Sequence, residues 1–499
     1  MKKVIQKFSF IFLVFFLFFL FSKLTAQQAK PQGQITKAEI QTILKQCEAL
    51  KANGRDYTDN NALYILAKNT IYKVDPADAE NRSKLYAYLG YGYYLFLNDS
   101  KIDSMQYAYE QSLREAQKAN KASLIAQASI SLMHLSYELR ETDKAAIYKN
   151  ILETIIDTTT DKNTLREGDA ALADFYGNKS YYSTAQDYYL KTIKLSKEQA
   201  DTSQNPIIKK TLASRYYMLG QLYLKTDEPG EAINTLFNGL NYFRNQTDLT
   251  YHFYTALITA YCKKGNIYSA LIYLHQYIDP LEARFKNKMG APFDVLFSNM
   301  AIAKYYLSQK QYNKATPYIN KTVELVNSKP YTDPDFMYAV QKMNGQYLLE
   351  SKNYKRANDT LIRALPVAKE INREDEADIL KYLAMAQSGL NNYPASLKYY
   401  EEYTALLDSL TKEKVSRNFA DVQTHYQTNE KESRIVVLNQ QNKLNTLELK
   451  QASSTRDLLI LGLISIGLFS LLLYFIYRNK EKLNKILNQR NTQLDELNS

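Results

Sequence analysis

Residues 212–236 of this 499-residue chain read LASRYYMLGQLYLKTDEPGEAINTL, and they indicate the fold most clearly. The small residue Gly220 lies three positions before Tyr223 and twelve positions before a second small residue, Ala232. This spacing places the small residues on two successive helices, where they allow close approach, and the tyrosine fills the space between the helices. The stretch therefore predicts a helical hairpin.

The same pattern recurs, so the hairpin is one unit of an array. We expect seven or eight units between residues 36 and 408, with those near 62–75 and 122–152 the least regular. Each unit buries its apolar side only against its neighbours, so that the stack shares a continuous core. Pro229-Gly230, Gly265-Asn266 and Asn391-Asn392 mark turns within units. The second small residues of successive units lie 38–47 positions apart and are Ala185, Ala232, Ala270, Ala315, Ala357 and Ser396.

The pattern resembles the tetratricopeptide repeat, a helix-turn-helix unit of about 34 residues. Where that family often carries Trp, this chain has Tyr216 or Tyr254, which agrees with a content of 43 Tyr and no Trp. The resemblance implies an all-α superhelix whose concave face, lined by the first helices, binds extended peptides or partner helices. The alternative is that the residues of this face are only solvated or packed on one another. By repeat position the face should include Tyr217, Gln221, Thr255, Thr259, Lys304, Lys342 and Gln346.

Residues 1–26 have the pattern of a secretory signal peptide. Three lysines precede an apolar run of 14 residues, 8–21, and Leu24-Thr25-Ala26 resembles a cleavage site. The run is short for a membrane span, and an uncleaved anchor is the alternative. A signal peptide directs export of the chain behind it, so we expect residues 27–408 to form a repeat array in the periplasm.

A second apolar run, 458–477, has 20 residues and no charge, which is enough to cross a bilayer as a helix. Arg478, Lys480 and Lys482 come directly after it, and by the positive-inside rule residues 478–499 are cytoplasmic. The sequence therefore predicts a single-pass protein of the inner, cytoplasmic membrane.

Two polar segments flank this run. Residues 409–457 contain no Gly or Pro, and Val437, Leu444 and Leu447 occupy positions typical of a weak coiled coil, which predicts a stalk helix. In residues 478–499, leucines at 4-7-3 spacing predict a short cytoplasmic coiled-coil tail. We expect a homodimer through stalk and tail. The alternative is a simple anchor with a solvated tail.

Charge and motif content argue against nucleic-acid binding and catalysis. The net charge is +11, and four of the lysines lie in the predicted leader; no basic stripe is present. The two cysteines, Cys47 and Cys262, are too few for a disulfide framework. The four His lack metal-ligand spacing, and no phosphate-binding loop or G-x-S-x-G motif occurs. We expect no catalytic residue, no metal, no cofactor and no nucleic-acid partner.

The layout as a whole is similar to the sensory half of the tetratricopeptide-repeat sensor histidine kinases common in Bacteroidetes. The order of the parts carries the likeness, together with residues 425–432 (HYQTNEKE) and 488–498 (NQRNTQLDELN). It implies ligand binding outside the membrane and relay through the membrane helix in a two-component system. No His follows His425 and no ATP-binding motif is present, so the chain as written is not expected to autophosphorylate.

The sequence thus predicts a membrane-anchored sensory or adaptor protein, not an enzyme, whose array binds a protein or peptide and relays that state inward. Two alternatives stay open. One is a scaffold for protein assembly in the cell envelope. The other is a truncated sensor histidine kinase that lacks its catalytic domain.

Overall fold

The computed structural model describes residues 35–52, 60–95, 102–202, 206–242, 248–285, 293–327 and 334–497. The predicted signal peptide, residues 1–26, lies outside this part of the chain. Within it the chain forms helices and turns and no strand. It divides into two compact units, one that ends at Thr424 and one that begins at His425. The prediction of an all-α fold is confirmed.

The helices of the first unit form antiparallel hairpins and are numbered in chain order. The first ten are α1 (Lys37–Ala52), α2 (Asn60–Ile71), α3 (Ala79–Leu95), α4 (Ile102–Lys118), α5 (Ala122–Glu138), α6 (Thr142–Thr158), α7 (Lys162–Asn178), α8 (Tyr182–Thr202), α9 (Pro206–Lys225) and α10 (Pro229–Leu240). The others are α11 (Asp248–Lys263), α12 (Ile267–Tyr273), α13 (Asp279–Phe285), α14 (Phe293–Ser308), α15 (Tyr312–Asn327), α16 (Pro334–Glu350), α17 (Tyr354–Ile371), α18 (Arg373–Gly389) and α19 (Tyr393–Leu497).

Within the described residues, seven pairs repeat one arrangement, α3/α4, α5/α6, α7/α8, α9/α10, α11/α12, α14/α15 and α16/α17, and α18 with the start of α19 forms an eighth. A π-helical turn, Leu274–Ile278, joins α12 to α13 and lengthens the fifth pair. The close approach expected from the sequence is present. A Cβ placed on Gly220 would lie 2.8 Å from Leu236, and one on Gly345 would lie 2.5 Å from Leu361. Both glycines are therefore required by the distance between the paired helices.

The seven described turns within pairs, from α5/α6 to α18/α19, share one conformation. A single residue with positive φ ends the first helix, for example Asp227 (62°), Gly265 (81°) and Lys352 (59°). The next amide then bonds back to the helix end, as Asn266 N does to the Tyr261 carbonyl at 2.9 Å. The turn between α9 and α10 is thus centred on Asp227 and not on Pro229-Gly230. Pro229 instead opens α10, because a helix start needs no N–H from its first residue.

The array curves with its first helices inside. Along most of the array the first helix of each pair packs on the first helix of the next, whereas the second helices pack on first helices. Elements that approach one another in successive repeats lie on the inner side of a curve. We call the exposed and half-buried faces of α3, α5, α7, α9, α11, α14, α16 and α18 the inner surface.

The last helix, α19, continues without a break from Tyr393 to Leu497. Its first turns complete the eighth pair, where Ser396 Oγ donates to the Ala384 carbonyl at 2.8 Å. No helix end marks the predicted junction of array and stalk at residue 408. In the second unit, residues 425–497, the apolar run 458–477 is exposed throughout.

One helix among the described residues is long and apolar enough to cross a membrane, with an 18-residue window of mean hydropathy 2.6 that is 0% buried. This helix is α19. The membrane span itself, and the coiled-coil tail beyond it, remain predictions.

Candidate functional site

A cleft of about 320 Å³ opens on the inner surface between α5, α7 and α9. His134, Asp174 and Gln221 line it with polar groups, and Met218 adds an apolar wall. The phenol of Tyr189, which also lines the cleft, donates to the Asp174 carboxylate. Burial raises the pKa of Tyr189, and the Asp174 charge adds to this, so the hydroxyl stays protonated. The cleft therefore offers donors, acceptors and an apolar contact within one groove.

A hydrogen-bonded cluster joins α11 and α14 beside the cleft. Asp294, which is buried, contacts His252 Nδ1 at 2.9 Å and accepts from Thr255 Oγ1 at 2.9 Å. Ser298 Oγ donates to Thr255 Oγ1 at 3.2 Å. Thr259 donates to the Thr255 carbonyl of its own helix at 3.0 Å. The cluster fixes the spacing of two first helices.

Tyr217 of α9 links the cleft to this cluster. Its ring packs on Phe253 with 5.3 Å between centroids and lies 6.4 Å from the His252 ring. Its hydroxyl accepts from Gln221 Nε2 at 2.9 Å. Burial raises the pKa of Tyr217, although the bond from Gln221 lowers it. The aromatic side chain is thus a rigid, half-buried part of the groove wall.

Lysines and carboxylates form a third cluster across α14, α16 and α18. Lys342 Nζ donates to Asp375 and, at 2.9 Å, to Asp378. Burial alone would lower the pKa of Lys342, but the hydrogen bond to Asp375 and the two negative charges outweigh burial and raise it. Tyr338 also donates to Asp375, at 3.1 Å. Lys342 therefore clamps α16 to α18.

Lys304 has a different position in this cluster. Its side chain is exposed to solvent, yet it is partly desolvated beside α16 and α18. This desolvation lowers the pKa of Lys304, the neighbouring Lys342 cation lowers it further, and Asp375 and Asp378 oppose both. An ammonium held in such surroundings gains from an anionic partner.

The structure places all seven predicted residues on first helices of four successive pairs. Tyr217, Thr255 and Lys342 contact side chains of the array itself, Gln221 lines the cleft, and Lys304 is exposed. Thr259 and Gln346 are half-buried on α11 and α16. Whether any of them binds a partner stays a prediction.

Sequence reasoning missed the carboxylates that bind these residues. Asp294 follows Thr255 by 39 positions, and Asp375 follows Lys342 by 33. Both separations are close to one repeat, so a search one repeat ahead of each predicted residue would have found them. Among the described residues no group of three or more His, Cys, Asp or Glu is arranged to hold a metal ion.

No protein-family model matches the sequence, and no curated protein matches it. Solved structures do. A Rap protein complexed with Competence and Sporulation Factor is 11% identical at a TM-score of 0.48, and the match covers 76% of this chain and 100% of that one. NprR in complex with its cognate peptide NprX is 14% identical at a TM-score of 0.44, covering 72% and 99%.

A tetratricopeptide repeat protein from Parabacteroides merdae ATCC 43184 is 15% identical at a TM-score of 0.42, and the match covers 60% of this chain and 98% of that one. The chain thus has structural neighbours of the tetratricopeptide-like repeat class. The low identities and TM-scores assign no ligand to it.

Proposed function

We propose that this chain is a membrane-anchored sensory protein. Its repeat array binds a protein or peptide on the inner surface, outside the cytoplasm, and the bound state is relayed through α19 to the tail. It acts by binding and not by catalysis. In this proposal residues 27–408 lie in the periplasm, 458–477 span the inner membrane and 478–499 lie in the cytoplasm.

One observation carries the proposal. The helix that completes the eighth repeat pair is the same helix that contains the apolar window, because α19 runs unbroken from Tyr393 to Leu497. A flexible linker would isolate an anchor from the array, whereas a helix transmits rotation and displacement along its axis. This continuity of the helix supports a relay more than a simple tether.

The chemistry of the inner surface supports a peptide or protein as the ligand. A cleft of about 320 Å³ open along the array suits a few side chains of an extended segment. The groove offers an exposed lysine, amide and carboxylate groups, and aromatic walls over four repeats, and not the enclosed apolar cavity that small ligands prefer. Two of the neighbouring structures are complexes with a peptide or factor, but their TM-scores are too low for the proposal to rest on them.

Photo-crosslinking in living cells tests the proposal. A photoreactive phenylalanine analogue is placed at Gln221 or Lys304 of the inner surface in the full-length protein. The matched controls are Asn238 and Asn320, exposed residues on the second helices α10 and α15. We expect a discrete adduct from the inner positions and none from the controls.

Equal adducts from all four positions, or from none, contradict inner-surface binding. Mass spectrometry of a discrete adduct then identifies the partner. An adduct with many copies of one envelope protein, unaffected by changes in the tail, favours the scaffold over the sensor.

A further inference from the structure

A side chain from the last helix is bonded to the start of a helix in the middle of the array. The Asp421 carboxylate of α19 accepts from Ser183 N at 2.9 Å, from Thr184 N at 3.1 Å and from Thr184 Oγ1 at 2.8 Å. The partners are 237 or 238 positions away in sequence. Asp421 is 7% exposed and Thr184 is 1% exposed, so water does not compete for these bonds.

The contact supplies what α8 lacks. The first amides of a helix need acceptors, and a Ser, Thr, Asp or Asn just before the helix usually provides one. Asp161 does this for α7, accepting from Thr164 N at 2.9 Å. Tyr181, the residue before α8, has no short acceptor side chain, so Asp421 caps α8 from the far end of the array. Its charge is also favoured at the positive end of the helix dipole.

The position of Asp421 depends on the last repeat pair. Arg373, at the start of α18, binds Glu413 and, at 3.2 Å, Ser409 of α19. Arg417 of α19 lies 3.5 Å from Glu374 of α18. Asp421 lies one turn beyond these contacts. Any movement of the eighth pair relative to α8 must therefore stretch or break the bonds that Asp421 makes.

A second contact also joins an early repeat to a late one. Arg140, in the turn between α5 and α6, donates to the Glu370 carbonyl at the end of α17 at 3.3 Å, across 230 positions. It is an exposed bond and a weaker one. Its presence shows that the curve of the array brings early and late repeats into contact at two points.

These contacts between early and late repeats are sensitive to the curvature of the array. Five interfaces between pairs separate α8 from α19. A rotation of about 2° at each interface adds to roughly 10°. At a radius of about 25 Å this displaces α19 relative to α8 by roughly 4 Å. A hydrogen bond is lost over about 1 Å. Small rotations between pairs along the inner surface therefore determine whether Asp421 can bond to Ser183 and Thr184.

We propose that Asp421 is a latch, and that its release from Ser183 and Thr184 is the conformational step by which the inner surface controls α19. This use of the latch rests on the proposed function, since it assumes that a ligand adjusts the curvature. The latch itself does not depend on a ligand, and it is tested without one.

Hydrogen exchange of the full-length protein in detergent micelles, read by mass spectrometry, tests the latch. Asp421→Ala should speed exchange of the Ser183 and Thr184 amides about tenfold, the loss expected for a helix cap. Asp421→Asn keeps one acceptor oxygen and should give a smaller increase. It provides a second test of the latch in case Asp421→Ala does not fold. Asp408→Ala is the control, because Asp408 is exposed on the same helix and accepts from Lys412 in its own next turn, at 2.7 Å.

Coupling to the inner surface is tested by Lys342→Met, which releases α16 from α18 without touching α8. We expect exchange at Ser183 and Thr184 to rise about threefold or more, and the double variant with Asp421→Ala to exchange no faster than Asp421→Ala alone. Lys355→Met, at an exposed position of α17, is the matched control.

Unchanged exchange at the two amides in Asp421→Ala would overturn the latch. A rise confined to α16 and α18 in Lys342→Met would overturn its coupling to the inner surface. Neither result bears on ligand binding, which the crosslinking experiment tests separately.

Discussion

Replacing Gly345 by alanine probes the packing that builds every repeat. A Cβ at this position of α16 would lie 2.5 Å from both Cγ and Cδ2 of Leu361 on α17, where ordinary carbon contacts are about 3.5–4.0 Å. Leu361 is 0% exposed, so it has no free space to enter. The two helices must separate or Leu361 must leave its rotamer.

The two opposing effects of the substitution have known sizes. Overpacking of about 1 Å in a closed core costs about 3 kcal/mol. Alanine gains about 1 kcal/mol over glycine in a helix interior. Gly345→Ala should therefore lower the free energy of unfolding by about 2 kcal/mol, and for an array of this length we expect a thermal midpoint lower by roughly 2–3 °C.

Thermal unfolding of the full-length protein, followed by circular dichroism, measures this loss. Gly230→Ala is the control, because a Cβ there has no neighbour within 4 Å, and it should be neutral or slightly stabilising. Leu361→Ala alone should cost about 2–5 kcal/mol. In the double variant the clash is gone while the helix gain remains, so the combined loss should fall short of the sum by about 3 kcal/mol, the size of the overpacking term. Strict additivity, or equal effects of Gly345→Ala and Gly230→Ala, would refute the packing account.

Three further predictions concern a turn, a buried carboxyl group and the membrane. Lys352 has φ of 59°, so Lys352→Gly should stabilise the fold by up to about 1 kcal/mol, whereas Arg363→Gly within α17 should cost about 1 kcal/mol in the same thermal assay. Burial raises the pKa of Asp169 to about 7, so its folded state favours the protonated form and stability falls as pH rises from about 4 to 7. Asp169→Asn should therefore stabilise the fold by up to about 4 kcal/mol at pH 8 and have little effect near pH 4. Urea unfolding measures this; an equal difference in free energy of unfolding between variant and wild type at both pH values would contradict the prediction. If residues 458–477 span the membrane, an impermeant maleimide added to spheroplasts should label Gln451→Cys, on the outer side, but not Asn491→Cys, on the inner side. The two native cysteines are buried, so they should give little background labelling. Equal labelling of the two variants would contradict the membrane span.

The repeat fold was accessible from the sequence because its determinants are local. Gly220 meets Leu236, and Gly345 meets Leu361, at the same separation of 16 positions. The inner surface was accessible only in part. The helix that carries each polar residue can be derived from repeat position, but the carboxylate that binds it lies in the next repeat.

The Asp421 contact could not be predicted from local pattern. It depends on the summed rotations of five interfaces, each of which is set by side-chain packing that no spacing encodes. The continuity of α19 through residue 408 was also missed, because the change in composition there indicates a boundary although no residue ends the helix. Both features connect α19 to the rest of the array.

A relay through α19 depends on the rotation of the helix, whereas a simple anchor does not. Insertion of one residue after Lys450 rotates everything beyond it by about 100°, whereas insertion of seven residues rotates it by about 700°, close to two full turns. Each version is returned to cells that lack the chain, and the transcripts that respond to that loss are measured. The relay predicts that the wild-type chain and the seven-residue insertion restore those transcripts and that the one-residue insertion does not. Full restoration by the one-residue insertion would contradict the relay and leave α19 as an anchor.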